Sequence, residues 1–437
     1  MIRTDILIIG AGASGLMAGK KLSEAGKKST ILEARNRLGG RIHSLYQDHF
    51  PVIAEAGAEF VHGKLELTMK LLNEAGLTTK STEGKMWQVK DKEWEKENDF
   101  IEDWSLVVSR LKELKEDMSI ANFLQQEFGE LKYKKLRDSL KHYVEGYDAA
   151  DTTKASTLAF RDEFMSEEDE QYRVKNGYGK LIEYLANKCS ANGSTIKLSC
   201  TVTEVQWRKN LVKVITSDEQ EYTANKIIIT VPLGIWQAEP GSKGSILFSP
   251  RIPEKIKAAR QLGYGAVIKI LLLFKEVFWE NDSLPHADRH VKNIGFIFSE
   301  NSIPTWWTQL PDKTPLLTGW LAGPAAEKLK DKNDDIILEY AFRSISSIFN
   351  IPKNTVKEKL QASKVLNWTA DPFTRGAYSY ETVNSQQVKK ILMEPVDETL
   401  FFAGEAMYEG EHTGTVEAAL VSGSRVSYEV LGAADKC

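Results

Sequence analysis

Two domains, the first of α/β character and wound about a parallel sheet, are what this sequence predicts, on three observations. The chain has 437 residues, and single hydrophobic cores stop growing at roughly 250 to 300 residues. Its opening, TDILIIG (residues 4–10), is an apolar run rich in isoleucine, the pattern of a strand buried on both faces. Directly behind it, ASGLMAGKKLSEAGK (13–27) places Leu16, Ala18 and Leu22 at helical spacing.

Strand, tight turn and helix in that order open a Rossmann-like βαβ unit, and the turn GAGASG (10–15) carries its glycines. Gly10 and Gly12 permit a sharp bend and let the backbone approach a pyrophosphate, while Gly15 lets the helix pack closely on the strand. Ala13 and Ser14 lie at the start of the helix, whose N–H groups face the anion. KSTILEA (28–34) reads as a second strand, and Glu33 falls eighteen residues after Gly15, near the spacing at which a carboxylate accepts ribose hydroxyls. The chain then runs through Ala34 and Arg35 into RLGGR, where Gly39 and Gly40 stand between Arg37 and Arg41. A second glycine loop packed against the same pyrophosphate favours FAD over NAD.

LEARNRLGGRI (32–42) resembles the signature of the flavin-containing amine oxidase superfamily, which includes monoamine oxidases, polyamine oxidases and flavin histone demethylases. Five further stretches resemble the family in the family's order. EAGAEFVHG (55–63) corresponds to the segment along the flavin, IIITVPLG (227–234) to a strand and Pro-Leu-Gly turn, and GYGAVIKILLLF (263–274) to a lysine-bearing strand. NWTADPFTRGAYSY (367–380) and FFAGEAMYEGEHTGTVEAALVSG (401–423) complete the set.

The resemblance implies a discontinuous Rossmann-like FAD-binding domain of GR2 type from residues 1–80, 176–250 and 369–437, with an α+β substrate-binding domain from 81–175 and 251–368. It places Ala56, Gly57, Ala58 and Glu59 along the flavin, the backbone of Val202 at the adenine, and Trp368 as a wall of the flavin site. Gly404 and Glu405 end a buried strand, with Glu405 suited to a ribityl hydroxyl. Thr415 and Val416 begin a helix whose first N–H groups face the flavin O2 carbonyl, where they would stabilise negative charge on the reduced ring.

Three residues are expected to act in catalysis. Lys269 interrupts the apolar run AVIKILLLF; either strand alternation turns it outward, or, as the resemblance implies, it hydrogen-bonds a water at flavin N5. Tyr378 matches the position of an aromatic ring over the substrate nitrogen. His62 ends a segment similar to that of polyamine oxidases, as a polar group facing substrate or as a structural residue. Glu59 is left between binding a distal ammonium and meeting solvent. Ala377 stands where monoamine oxidases carry the cysteine bonded to flavin, so FAD is expected to be non-covalent. Thr415 replaces a second tyrosine before Val416, which points to the polyamine oxidase or demethylase branch.

The predicted activity is oxidation of a primary or secondary amine, a polyamine among the candidates, with O2 reoxidising the flavin to give hydrogen peroxide. The alternative is an L-amino-acid oxidase or desaturase-type oxidoreductase on the same fold. A net charge of −4 gives nucleic-acid binding little electrostatic support. The longest apolar stretches fall short of the roughly 20 residues a bilayer span needs, so no membrane partner is expected. Cys189, Cys200 and Cys437 lack metal-like or redox-pair spacing, which suits a reduced, cytoplasmic protein. His286 and His290 have i, i+4 spacing but no evident third ligand, so no metal is expected. Residues 90–129, with Phe100, Trp104, Val107, Val108, Leu111 and Leu114 at helical spacing, read as one amphipathic helix. The acidic stretch 161–171 reads as a solvated loop or an electrostatic lure for a cation.

Overall fold

The computed structural model describes residues 2–47, 49–96, 101–166, 170–281 and 291–432. A five-stranded parallel sheet holds the spatial order Thr195–Lys197, Ser29–Leu32, Ile6–Ile9, Lys226–Ile229 and Leu400–Phe402. Alternation along Ile6–Ile9 explains why every residue of that strand is apolar. Ile6 and Ile8 pack with Leu16, Met17, Leu181 and Leu420, whereas Leu7 and Ile9 pack with Val205, Val214 and Tyr222 on the other face. Helices Ala13–Glu24, Gly179–Ala191 and Val416–Leu431 contribute to the first core, and a second five-stranded sheet contributes to the other.

That second sheet runs Ile2–Arg3, Glu221–Ala224, Leu211–Thr216, Val202–Arg208 and Leu247–Ser249. Its centre is the antiparallel pair Val202–Arg208 and Leu211–Thr216, while the preceding strand Thr195–Lys197 joins the parallel sheet. Strand order in the parallel sheet reverses at Ile6–Ile9, whose neighbours are Ser29–Leu32 on one side and Lys226–Ile229 on the other. Such a switch point opens a crevice beyond the carboxyl ends of the strands.

A seven-stranded sheet follows the order Leu360–Asn367, Val267–Phe274, Leu316–Ala322, Thr305–Trp307, Ile294–Ser299, Lys85–Lys90 and Glu93–Lys96. Its strand Val267–Phe274 is buried throughout, with a neighbour on each side. Ile268, Ile270, Leu272 and Phe274 face a core shared with helix Asp334–Phe349, so alternation puts Lys269 on the opposite face. The outward lysine is thereby excluded: both faces of this strand are covered.

Several expectations need correction. Residues 90–129 do not form one helix; Lys90 ends a strand, Glu93–Lys96 is another, and helices Trp104–Glu113 and Ile120–Phe128 follow. Val107 and Leu111 do face a helical core with Phe123, Leu136, Leu140 and Phe160, but Leu114 takes an extended conformation and ends the first helix. Phe100, His286, His290 and Cys437 lie outside the described residues. The acidic stretch is not a loop at its start, because helix Thr157–Ser166 runs through it and strand Gln171–Val174 begins at its end. That strand pairs with both Phe60–His62 and Thr79–Ser81 in one three-stranded sheet. No described helix is long and apolar enough to cross a membrane.

Candidate active site

A cavity of about 2320 Å³ runs from the crevice at Ile6–Ile9 to the seven-stranded sheet. It exceeds the roughly 300 to 1,000 Å³ of an ordinary small-molecule pocket. At its first end the two glycine loops meet. Gly12 and Gly39 form a parallel bridge, and Gly39 N donates to Ala11 O at 2.9 Å. Gly10 has φ +103°, and a Cβ on Gly15 would lie 2.0 Å from Gly10 O, so both positions require glycine.

Gly10, Gly12, Ala13, Ser14, Glu33, Ala34, Arg35, Gly39, Gly40, Arg41 and Val202 all line this end. Gly15 does not; its part is the close packing behind the loop. Glu33 lies at the end of Ser29–Leu32, where Oε2 accepts from Ala11 N at 2.8 Å and Oε1 from Arg35 N at 2.9 Å. One carboxylate therefore clasps the glycine turn and faces the same space. Arg35 pairs with Asp371 at 2.5 Å, and its guanidinium lies over Phe373.

Ser14 Oγ is buried and has no hydrogen-bond partner among the described residues, although it lines the cavity. A Cβ on Gly12 would meet nothing closer than Gly39 O at 4.0 Å. An orphaned hydroxyl at a helix N-terminus, beside an open glycine cradle, fits the phosphates of a dinucleotide.

Along the middle, Arg41 pairs with Glu405 at 2.7 Å and also donates to Ala377 O. Ser379 N and Oγ donate to the other Glu405 oxygen. The glutamate expected at a ribityl hydroxyl thus orders the 377–379 segment while it lines the cavity. Thr415 caps helix Val416–Leu431 by accepting from Ala418 N, and Thr415, Val416 and Gly404 sit in the wall.

Lys269 is 1% exposed at the far end, and its Nζ donates to Glu59 Oε2 at 2.7 Å and Gly57 O at 3.1 Å. Glu59 does not meet bulk solvent, being 5% exposed, and its other oxygen accepts from Arg173 Nε and Trp307 Nε1. Burial pushes its carboxyl up, yet the Lys269 and Arg173 charges win and hold it down at about 2. Trp368 is in the cavity wall, its Nε1 donating to Ala56 O at 2.9 Å. Ala56 itself lies behind the wall, whereas Gly57, Ala58 and Glu59 line the cavity.

Tyr378 and His62 line the same space. Tyr378 donates to Tyr147 O at 2.5 Å, and its ring lies near-parallel to Trp320, at 12° with centroids 6.4 Å apart. Burial pushes its phenol well above the usual tyrosine value. His62 Nδ1 contacts Gln171 Nε2 at 3.2 Å and Tyr147 Oη at 3.5 Å, and burial lowers its imidazole to about 4, so it is neutral at pH 7.

Sequence reasoning passed over an aromatic wall. Phe296, Trp307, Trp320 and Phe60 line the cavity in a chain: Phe60 lies 5.7 Å from Trp307, Phe296 5.9 Å from Trp307, and Trp307 6.0 Å from Trp320. Alternation in IGFIFS was the available signal, since Ile297 faces the core while Phe296 and Phe298 face the cavity. Arg173 carried no comparable signal. Among the described residues, no group of three or more His, Cys, Asp or Glu side chains is arranged to hold a metal ion.

Comparison with known proteins gives these features a family. The model of the flavin containing amine oxidoreductases matches residues 13–103 and 85–431. The chain is 30% identical to polyamine oxidase 3 of Oryza sativa subsp. japonica, over 99% of this chain and 88% of that protein. It is 26% identical to lysine-specific histone demethylase 1 homolog 3 of Arabidopsis thaliana, covering 98% of this chain but 30% of that one. Solved structures of the same fold include putrescine oxidase bound to putrescine, with TM-score 0.79, 18% identity and 99% of each chain covered. Cyclohexylamine oxidase from Brevibacterium oxydans IH-35A superposes with TM-score 0.79 and 15% identity, over 98% of this chain and 99% of that one. With the family model spanning nearly the whole chain, and with FAD as the cofactor its paired glycine loops accommodate, this protein belongs to the flavin-containing amine oxidoreductases.

Proposed function

We propose that the chain oxidises a primary or secondary amine, a polyamine among the candidates, with non-covalently bound FAD. Residues 1–80, 176–250 and 369–437 would hold the cofactor, and 81–175 and 251–368 the substrate. The observation that carries the reading is one continuous cavity with the glycine loops and Glu33 at one end and Lys269, Tyr378 and His62 at the other.

When bound, FAD supplies the oxidising step, taking a hydride equivalent at N5 from the carbon beside nitrogen to leave an imine that water hydrolyses, with O2 restoring the flavin and yielding hydrogen peroxide. The protein's own groups do the rest. Tyr378 and Trp320 orient the amine between aromatic surfaces. His62, neutral above about pH 4, accepts or returns a proton at the substrate nitrogen. Phe60, Phe296 and Trp307 exclude water, and Lys269 presents an N–H donor to the cavity. The resemblance supports a water between that donor and flavin N5.

An amine is favoured over an amino acid by the pairing of the inner cations. Lys269 faces Glu59 and Arg41 faces Glu405, so neither is left for a substrate carboxylate. Cys189 and Cys200 are free, buried thiols, which supports a reduced, cytoplasmic setting.

The test is anaerobic mixing of the purified, FAD-loaded chain with primary amines, secondary amines, polyamines and L-amino acids. Bleaching of the flavin band by an amine, followed by peroxide release on admitting air, is expected. A chain that acquires no flavin spectrum after incubation with FAD, or one reduced by amino acids alone, overturns the reading.

A further inference from the structure

The amine-oxidising reading leaves unused the carboxylate that stands behind Lys269. Donors from three separate strands converge on Glu59: Lys269 Nζ at 2.7 Å, Arg173 Nε at 2.9 Å and Trp307 Nε1 at 3.0 Å. Arg173 is itself fixed, donating to Leu310 O at 2.9 Å and Thr308 O at 3.1 Å with its guanidinium 4.8 Å over the Phe60 ring. Its exposure is 7%. So many constraints on one buried side chain exceed what a solvent-screened surface ion pair would show.

An ammonium has three N–H donors on a freely turning bond. Among the described residues, Glu59 Oε2 and Gly57 O take two of those on Lys269. One is left; Nζ lies 5.4 Å from the centroid of the Trp307 ring, and both residues line the cavity. One carboxylate between two cations also leaves this dry cluster with a net charge of about +1, beside the space where electrons are received.

We propose that Glu59 is the positioning residue for Lys269, fixing which N–H of the ammonium faces the cavity and holding the local charge at a single positive unit. This role rests on FAD occupying that cavity. Arg173 and Trp307 serve it by locking Glu59. The arrangement gives a carboxylate in a segment expected to run along a flavin three fixed donors of its own. It also explains how a lysine at 1% exposure is tolerated in an apolar strand.

The experiment compares the FAD-loaded full chain with E59Q, K269M and the double variant E59Q/K269M. Each is measured for flavin midpoint potential, for the rate of flavin reduction by a saturating amine, and for denaturation midpoint. Glu59→Gln removes a negative charge and frees the ammonium to turn. The midpoint potential is expected to move positive, and reduction at saturation to slow by about ten- to a hundredfold, as misplacement of a fixed group does. The concentration for half-maximal rate should change less than about threefold. In the Lys269→Met background the same substitution should change the reduction rate less than twofold or so, because no ammonium remains to be positioned.

If E59Q does not fold, E59Q/R173Q restores the charge balance around the lysine; its potential should then stay near the wild-type value while reduction slows as in E59Q. Independent effects in the double variant overturn the proposal. So does a fall in denaturation midpoint with an unchanged potential and rate, since the network would then be structural alone. A folded chain that takes up no flavin overturns the amine-oxidising reading and this role together, an outcome distinct from the other two.

Discussion

Glu417, in the first turn of the C-terminal helix, clasps Thr68, in the first turn of helix Glu66–Glu74: its Oε2 accepts from Thr68 N at 2.7 Å and Oγ1 at 2.6 Å. Oε1 takes the neighbouring Leu67 N at 2.9 Å. Residues far apart in the chain thus satisfy the otherwise unpaired N–H groups of one helix start. Glu417→Ala is expected to destabilise the protein by about 1–3 kcal/mol, as loss of charged, buried hydrogen bonds does. Urea denaturation with an unchanged m-value would confirm it, and an unchanged midpoint would refute it.

Lys269→Met should fold and bind FAD, because Glu59 keeps Arg173 as a balancing cation at 2.9 Å. Flavin reduction or reoxidation should slow on the order of a hundredfold. Stopped-flow spectroscopy of both half-reactions decides it. Equal rates in both would remove the lysine from the chemistry.

Glu33→Ala takes away the acceptor of Ala11 N and Arg35 N and the candidate ribose contact. FAD affinity is expected to fall by about ten- to a hundredfold, the equivalent of roughly 1.5–3 kcal/mol for hydrogen bonds to a charged group. Fluorescence titration of the apoprotein with FAD measures this directly, and an unaltered Kd would count against the assignment.

Phe296→Ala opens the aromatic wall beside Trp307 while Ile297, on the other face, keeps the core. For an apolar amine the KM should rise about five- to twentyfold, corresponding to roughly 1–2 kcal/mol of lost ring contact, with kcat changed less. A change in kcat at constant KM would place Phe296 away from the substrate.

Glu55 offers a pH test. Its carboxylate accepts from Tyr178 N and Ser44 Oγ, yet burial outweighs both and raises its pKa from 4.5 to about 7. Between those values the folded protein keeps a proton that the unfolded chain has released, so this group's contribution to stability declines as pH rises through the window. Glu55→Gln cannot ionise. From pH 4.5 to 7.5 its stability relative to the wild type should improve by about 1–3 kcal/mol. Denaturation midpoints at several pH values report this, and parallel curves would contradict it.

The dinucleotide half of the site could be read from the chain because its signals are local. Gly10, Gly12, Gly15 and Glu33 lie within one βαβ unit, where spacing in sequence becomes spacing in space. Lys269 could be located but not understood. Its partner Glu59 and the locking Arg173 come from separate strands, and no periodicity links residues 59, 173, 269 and 307. The amphipathic pattern of residues 90–129 was real in Val107 and Leu111, but periodicity alone did not reveal the turn after Glu113. Phe296 and Phe298 were available as alternation in a short strand, a weak sign beside a glycine fingerprint.

The innermost sheet sets Ile6–Ile9 beside Lys226–Ile229, and that strand beside Leu400–Phe402. Translation therefore delivers Leu400–Phe402 long after the strand Lys226–Ile229 that it pairs with. Until then the growing polypeptide exposes an unpaired edge along Lys226–Ile229, a template for association with other chains. Closure over such a separation is slow on entropic grounds. A nascent chain halted before residue 400 would display that edge to its neighbours.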